Sequence, residues 1–148
     1  MKQSAGIILV DTESYEEPAV LCLRAYKNWD FPKGLVEEEE ILPVAALREL
    51  TEETGYTMKD ISTTRLMPFS QVPISVTYGS GKNKKRVTLF LAALSNHDKE
   101  PVLPINPELG KPEHDEWRWT KLSELEALIP KHFIPVAMFL KNTVFKDN

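Results

Sequence analysis

The chain has 148 residues, of which 42% are hydrophobic and 27% are charged, and its formal net charge is −4. This composition is typical of a globular protein and does not suggest disorder. The length predicts a single domain over residues 1–148. Since the apolar runs are far shorter than the roughly 20 residues that span a bilayer, we expect no contact with a membrane.

Cys22 is the only cysteine, so no internal disulfide can form. That usage fits a reducing compartment, and the cytoplasm is the expected location. Because its neighbours in AVLCLRAY form an apolar run, we interpret Cys22 as a core residue rather than a reactive thiol.

The negative charge is concentrated in one short segment. Residues 37–53 contain seven glutamates and one arginine, a net charge of −6. Since the whole chain has a net charge of −4, the remaining residues have a net charge of +2. A mildly basic body around one acidic patch indicates a polyanionic ligand that is held through bridging cations.

The first half of the chain predicts two strands and a helix. Apolar runs rich in β-branched residues predict strands over 5–10 and 19–26, separated by a polar turn. The segment WDFPKG, residues 29–34, is expected to be extended and then to turn at its proline and glycine. A helix is predicted over 43–54, because proline suits its first turn and Gly55 suits its C-terminal end.

The second half alternates strands with proline-rich loops. Strands are predicted over 65–78, where prolines interrupt the pattern, and over 86–94, with a lysine-rich loop at 79–86 between them. Residues 101–114 are expected to form a loop that leads into a strand over 115–122.

Two helices are predicted to complete the chain. Ser123 and Glu126 have the spacing of a capping box, which would open a short helix over 124–129. A last amphipathic helix is predicted from Pro135 to Phe145. Strands interleaved with helices in this order predict an α/β or α+β sandwich.

The helix over 43–54 carries the acidic cluster. At about 100° per residue, Glu49, Glu52 and Glu53 share one face. Ala45 falls between them and leaves room above the carboxylates. The opposite arc is expected to pack on a sheet and consists of Val44, Ala46, Leu47 and Leu50.

Two interpretations of this face remain open on geometry alone. Most glutamate-rich helix faces are simply solvated. Here, however, no lysine lies four residues away to relieve the repulsion, and oxygen ligands on one face suit hard cations such as Mg²⁺ or Mn²⁺. Zinc is disfavoured because the chain has one cysteine and three scattered histidines.

The order of residues from Gly34 to Tyr56 resembles the Nudix box, G-x5-E-x7-R-E-U-x-E-E-x-G-U, in which U is a bulky apolar residue. Every fixed position over residues 34–56 matches, with Tyr56 in the last position. The predicted elements on both sides of the box extend the resemblance over nearly the whole chain. It implies a Nudix α/β/α sandwich with a mixed β-sheet. It also implies Mg²⁺-dependent hydrolysis of a nucleoside diphosphate linked to another group.

The resemblance also assigns roles to residues of the box. It implies that the metal ligands are Glu49, Glu52, Glu53 and the backbone carbonyl of Gly34. Arg48 would orient these carboxylates, and either Glu52 or Glu53 would accept a proton from the attacking water. It also implies that Glu40 supports the loop and helix through charge pairing. Glu39 stands where many family members have glycine, so the conformation of that turn is an open question.

Residues outside the box indicate a substrate. The segment WDFPKG resembles a segment of asymmetrically cleaving diadenosine tetraphosphate hydrolases of the Nudix superfamily, which implies that Lys33 contacts a phosphate. Those enzymes often have histidine where this chain has Asn28. Tyr78 and Lys85, with six residues between them, resemble a pattern of the same enzymes, in which they contact the nucleotide and its phosphates. As alternatives, Tyr78 would pack at a strand end and Lys85 would be an exposed loop charge.

The segment PEHDEWRW resembles one found in both diadenosine tetraphosphate hydrolases and RNA pyrophosphohydrolases. It implies that Glu113 supplies a fourth carboxylate, as a metal ligand or as a base. We interpret His114 as solvent-facing rather than catalytic, and Trp117 and Trp119 as structural.

The resulting hypothesis is a Mg²⁺-dependent hydrolase whose substrates are small molecules, the dinucleoside polyphosphates. We expect the enzyme to need no protein partner. The nearest alternative is an RNA 5′-pyrophosphohydrolase, although that group usually has Gln-Gly-Gly where this chain has Lys33, Gly34 and Leu35. Nucleoside triphosphates and diphosphoinositol polyphosphates remain open as substrates. A Nudix module that senses nucleotides without cleaving them is a different class, but such modules generally lose box carboxylates.

Overall fold

The computed structural model describes residues 1–146. Its strands are β1 (Lys2–Asp11), β2 (Ala19–Ala25), β3 (Asn28–Asp30), β4 (Lys33–Leu35), β5 (Ile61–Ser62), β6 (Ile74–Tyr78), β7 (Lys85–Leu94), β8 (Ile105–Asn106), β9 (Lys111–Pro112) and β10 (Glu116–Lys121). Its helices are α1 (Leu42–Thr54), α2 (Leu122–Leu128) and α3 (Ile134–Phe139), which continues as a π-helical turn over Leu140–Val144.

A mixed sheet forms the centre of the molecule. The strand order is β10-β2-β1-β7-β5, in which β1 and β7 are parallel and the other pairs are antiparallel. β6 extends the sheet beside β7, whereas β8 and β9 form a separate small hairpin. Parallel and antiparallel pairs in one sheet agree with the mixed sheet that the resemblance to the Nudix box implies.

The central strands β1 and β2 pair only at one end, at Val10–Val20 and Asp11–Ala19. Beyond that point β3 pairs with β2 and β4 pairs with β1. Phe31, which is 1% exposed, lies between these two short strands and anchors the segment in the core. The segment over 29–34 is therefore part of the sheet, and it is positioned beside α1.

The two faces of the sheet bury different residues. Ile7 and Leu9 of β1 pack with α1, whereas Ile8 and Val10 pack with α2 and α3. This alternation follows from the two-residue period of a strand. Helices therefore cover both faces, which confirms the α/β/α sandwich.

Helix α1 begins one residue before the predicted start and has proline in its first turn. It ends at Gly55, whose φ of +81° is the left-handed conformation that glycine adopts readily. The expected packing face is partly wrong, because Val44 is 53% exposed and Ala45 is fully buried. The contact of α1 with β4 places Glu49 against Gly34, and Ala45 packs in the core cluster on this face of the sheet.

Three further predictions are corrected by the structure. Only Ile74–Tyr78 of the predicted strand over 65–78 is a strand, since Pro68 and Pro73 have no N–H group to donate to a neighbouring strand. The loop over 101–114 contains the β8–β9 hairpin. The last helix begins at Ile134, one residue before Pro135.

The predicted capping box of Ser123 and Glu126 is wrong. Helix α2 starts at Leu122, and Ser123 lies inside its first turn. Its backbone N–H and its hydroxyl instead donate to the Glu17 carboxylate, at 2.7 and 3.1 Å. A carboxylate from the β1–β2 turn therefore takes the place of the side-chain cap.

Cys22 is fully buried in β2, as expected of a core residue. Burial raises the pKa of its thiol to about 12. Over residues 1–146, no helix combines the length and the apolar character that crossing a membrane requires.

Candidate active site

Strand β4 and helix α1 meet at Gly34 and Glu49. A Cβ atom at position 34 would lie 2.2 Å from Cδ of Glu49, so any residue other than glycine would displace the Glu49 carboxylate. The Glu49 side chain is held in this contact and is largely buried. The close approach places the backbone of Gly34 beside the first carboxylate of the helix face.

Glu53 lies next to this contact and is fixed by the same strand. The backbone N–H of Lys33 donates to Oε1 of Glu53 at 3.0 Å. Burial, followed by the negative charge of Glu49, raises the pKa of Glu53 to about 9, and Glu113 adds to the effect. The cluster therefore holds more negative charge than its protein neighbours neutralise.

Arg48 links the helix to the loop that precedes it. Its guanidinium donates two hydrogen bonds to Glu40, at 2.7 and 2.9 Å, as the expected charge pairing requires. It also donates to Glu49 at 2.9 Å and to the carbonyl of Leu35 at 3.0 Å. Its contact with the more exposed Glu52 is 3.2 Å.

The turn before Glu40 keeps an unusual backbone conformation. Glu39 has a φ of +66°, which glycine adopts without the steric cost that other residues incur. The turn thus has the conformation that a glycine would favour, although a glutamate occupies it. Its neighbours Glu37 and Glu38 are exposed.

A cavity of about 350 Å³ lies over these carboxylates. Glu49, Glu52 and Glu53 line one side together with Glu113, which follows β9 and precedes β10. His114 also lines the cavity and is half-buried, so the expectation that it faces solvent is wrong. Burial is the main cause that lowers the pKa of His114.

The four glutamates present only oxygen donors, the kind that Mg²⁺ and Mn²⁺ prefer. Across residues 1–146, no three histidine, cysteine, aspartate or glutamate side chains converge closely enough to hold a metal ion as they now lie. Arg48 and the N–H of Lys33 engage three of the carboxylates instead. The donor chemistry therefore fits a divalent cation, and binding would require these side chains to move.

A group of aromatic rings flanks the carboxylates on the side of Lys33. Tyr78 and His132 stack with ring centres 3.7 Å apart. The Phe133 ring lies 6.0 Å from the Tyr78 ring in a T-shaped arrangement and 4.4 Å from the His132 ring. Lys33 Nζ lies 5.9 Å from the Phe133 ring and 3.1 Å from Asp30 Oδ2.

The predicted substrate-binding residues meet at this group. Lys85 is exposed and lies directly opposite Tyr78 in the β6–β7 register. His132 covers one face of the Tyr78 ring. This contact cannot be predicted from the sequence, because the two residues are far apart in the chain. Trp117 and Trp119 are partly buried and pack against the core, which confirms their structural interpretation.

The Nudix domain model matches residues 1–140. The chain belongs to the Nudix family. The segment over 34–56 is therefore a Nudix box in a Nudix fold, and Arg48, Glu49, Glu52 and Glu53 are its residues.

Curated relatives of this Nudix chain include two bacterial proteins named RNA pyrophosphohydrolase. The protein from Caulobacter vibrioides is 33% identical over 107 residues, which cover 69% of this chain and 60% of that protein. The chain thus spans less than two thirds of the length of that relative. The protein from Zymomonas mobilis is 30% identical over 134 residues, covering 86% of this chain and 84% of that protein.

A solved structure with a similar fold is a binary complex of the C. elegans Ap4A hydrolase. The two structures agree with a TM-score of 0.71 and 23% sequence identity, over 86% of this chain and 85% of that chain. At this level of identity the likeness concerns the fold.

Proposed function

We propose that this protein is a Mg²⁺-dependent pyrophosphohydrolase that cleaves a phosphoanhydride bond in dinucleoside polyphosphates such as diadenosine tetraphosphate. The observation that carries the proposal is the cavity lined by four glutamates, Glu49, Glu52, Glu53 and Glu113. A phosphate chain would be repelled by this lining unless cations lay between them. Arg48 pairs with Glu49 and Glu52, but one guanidinium does not balance four carboxylates, and the excess negative charge suits a site for bridging cations.

Glu49, Glu52, Glu53, Glu113 and the carbonyl of Gly34 would hold Mg²⁺, for which Mn²⁺ is a possible substitute. When bound, the cation neutralises charge on the phosphate oxygens and lowers the pKa of an attacking water.

The chain's own residues position this water and remove its proton. The backbone N–H of Lys33 holds the Glu53 carboxylate over the cavity. Glu53 or Glu52 accepts the proton as the water attacks phosphorus and the anhydride oxygen leaves with its phosphate. Arg48 is a positioning residue, since its hydrogen bonds fix Glu49 and connect the helix to the loop over 35–40.

Lys33, Tyr78 and Lys85 are assigned to substrate binding. The ammonium groups of Lys33 and Lys85 would attract the phosphate chain, and the exposed part of Tyr78 would contact a base or ribose. The aromatic group beside Lys33 supports this assignment, because it joins apolar ring surface to positive charge. A cytoplasmic location is part of the proposal and is supported by the single, buried Cys22.

RNA with a 5′-triphosphate end is the second candidate substrate. It is favoured by the names of the Caulobacter and Zymomonas relatives. Against it stands Lys33 at the position where that group usually has glutamine.

Turnover of three substrates side by side tests the proposal. Purified protein with Mg²⁺ would be given diadenosine tetraphosphate, 5′-triphosphorylated RNA and single nucleoside triphosphates. We expect the highest kcat/KM on diadenosine tetraphosphate. A higher kcat/KM on the RNA would replace the first candidate with the second, and no turnover on any substrate would support a nucleotide-sensing module.

A further inference from the structure

The cavity over the glutamates has a second wall of different chemistry. Residues 103–107, Leu-Pro-Ile-Asn-Pro, line the same cavity as the carboxylates and include the strand β8. This wall, called the 103–107 wall below, has no role in the proposed chemistry. The volume of the cavity, about 350 Å³, is within the range of small-molecule sites.

The wall is fixed relative to the carboxylate helix. The backbone N–H of Val102 donates to the carbonyl of Thr54 at 2.8 Å, at the end of α1. Leu103 packs against the core cluster that contains Tyr56. A ligand bound between the wall and the glutamates would therefore meet two surfaces whose separation is set by the fold.

The surface of the wall is apolar and open to solvent. Ile105 is 67% exposed although it lines the cavity, and Val102 beside it is 63% exposed. Large apolar side chains exposed together at a cavity are typical of a ligand contact. Two prolines in the wall add rigid apolar surface that is suited to a flat ring.

Charge decides which part of a substrate fits here. Among residues 1–146, those that line the cavity include four glutamates and neither lysine nor arginine. The lysines assigned to phosphate binding, Lys33 and Lys85, are not part of the lining. A phosphate chain would therefore extend from the glutamates towards the lysines, and the group against the 103–107 wall would be uncharged.

Asn106 supplies one polar atom for such a group. Its Oδ1 accepts the backbone N–H of Glu108 at 2.9 Å, which fixes the orientation of the amide. The atom that remains for a ligand is Nδ2, which is a donor. A donor beside an apolar surface matches a nucleobase, which has flat faces and acceptor atoms on its edge.

We propose that the 103–107 wall is a second nucleoside subsite, in which Ile105 contacts the face of a base and Asn106 donates a hydrogen bond to its edge. In a dinucleoside polyphosphate, one nucleoside then lies beside the aromatic group of Tyr78 and the other lies against this wall. The inference rests on the proposed function and adds the position of the second nucleoside.

The test compares Ile105→Ser and Asn106→Ala with the parent protein on diadenosine tetraphosphate with Mg²⁺. Each variant is expected to raise KM about tenfold with kcat nearly unchanged, since a lost apolar contact or hydrogen bond in a site has at least this effect. Val72→Ser is the matched control, because Val72 is 71% exposed and lies outside the cavity lining. Inorganic tripolyphosphate, which has no nucleoside, should inhibit all four proteins with the same Ki.

The outcomes separate this inference from the proposed function. If the parent turns over diadenosine tetraphosphate and both variants have a KM within twofold of the parent, the subsite is wrong. The subsite is also wrong if KM and the Ki of tripolyphosphate rise by the same factor, because the wall would then act through the phosphate site. A parent without turnover on dinucleoside polyphosphates would overturn the proposed function and this inference together.

Discussion

The guanidinium of Arg48 donates two hydrogen bonds to the carboxylate of Glu40, 2.7 and 2.9 Å long. These bonds lower the pKa of Glu40 to about 2. The same guanidinium donates to the carbonyl of Leu35. One side chain therefore ties the loop over 35–40 to the helix that carries the glutamates.

The planar fork of Arg48 should not be replaceable by lysine. In Arg48→Lys a single ammonium cannot reach Glu40, Glu49 and the Leu35 carbonyl at once. We expect kcat to fall about 10–100-fold, as is typical when a residue that orients metal ligands is lost. Steady-state kinetics measures this effect. Arg118→Lys, in an exposed ion pair with Glu124, is the control and should keep parental activity.

The position of the Glu49 carboxylate should depend on glycine at position 34. In Gly34→Ala the new Cβ would lie 2.2 Å from Glu49 Cδ, so the carboxylate must move by about an ångström. A displacement of that size is expected to lower kcat about 100-fold. Kinetics together with a circular dichroism spectrum would test this. Parental kcat in a folded Gly34→Ala protein would show that the position of Glu49 is unimportant.

Replacement of Glu39 by glycine should stabilise the turn at this position. Relief of the left-handed conformation gains about 1–2 kcal/mol, and the added freedom of glycine in the unfolded chain costs roughly 0.5–1 kcal/mol. Glu39→Gly is therefore expected to raise the free energy of unfolding, measured by urea denaturation, by about 0.8 kcal/mol at the midpoints of these ranges and by at most about 1.5 kcal/mol. Glu38→Gly, at a residue without positive φ, should lower it. Equal effects of the two changes would argue against backbone strain at Glu39.

Lys85 should matter more as the phosphate chain becomes longer. It is exposed, and exposed ion pairs contribute up to about 1 kcal/mol. Lys85→Ala is therefore expected to raise KM up to about fivefold for diadenosine pentaphosphate and less for diadenosine triphosphate. Lys84→Ala is the neighbouring control. The same rise in KM for both substrates would contradict a specific contact with the distal phosphates.

The helix that carries the site could be predicted from the sequence, because residue spacing and the signals for helix ends are local in the chain. The spacing from Gly34 to Tyr56 defines the carboxylate face, and proline and Gly55 mark the two ends of the helix. The apolar, β-branched run over 5–10 likewise predicts a strand, and it lies within β1.

The contacts missed by sequence analysis join residues far apart in the chain. Ser123 has the local spacing of a capping box, but the carboxylate of Glu17 meets it across the fold. His132 stacks on Tyr78 through the packing of β6 against the turn before α3. Local propensity contains no information on either pairing, because each depends on how the layers assemble.

The central claim is that the glutamate cluster hydrolyses a phosphoanhydride with the help of a divalent cation. The most direct test follows diadenosine tetraphosphate by ³¹P NMR with the parent, Glu53→Gln and the control Glu38→Gln, each with Mg²⁺ and with a chelator. We predict turnover by the parent and by Glu38→Gln in Mg²⁺ alone, and a kcat for folded Glu53→Gln that is about 10²–10⁴-fold lower. Near-parental turnover by Glu53→Gln, or undiminished turnover in the chelator, would contradict the claim.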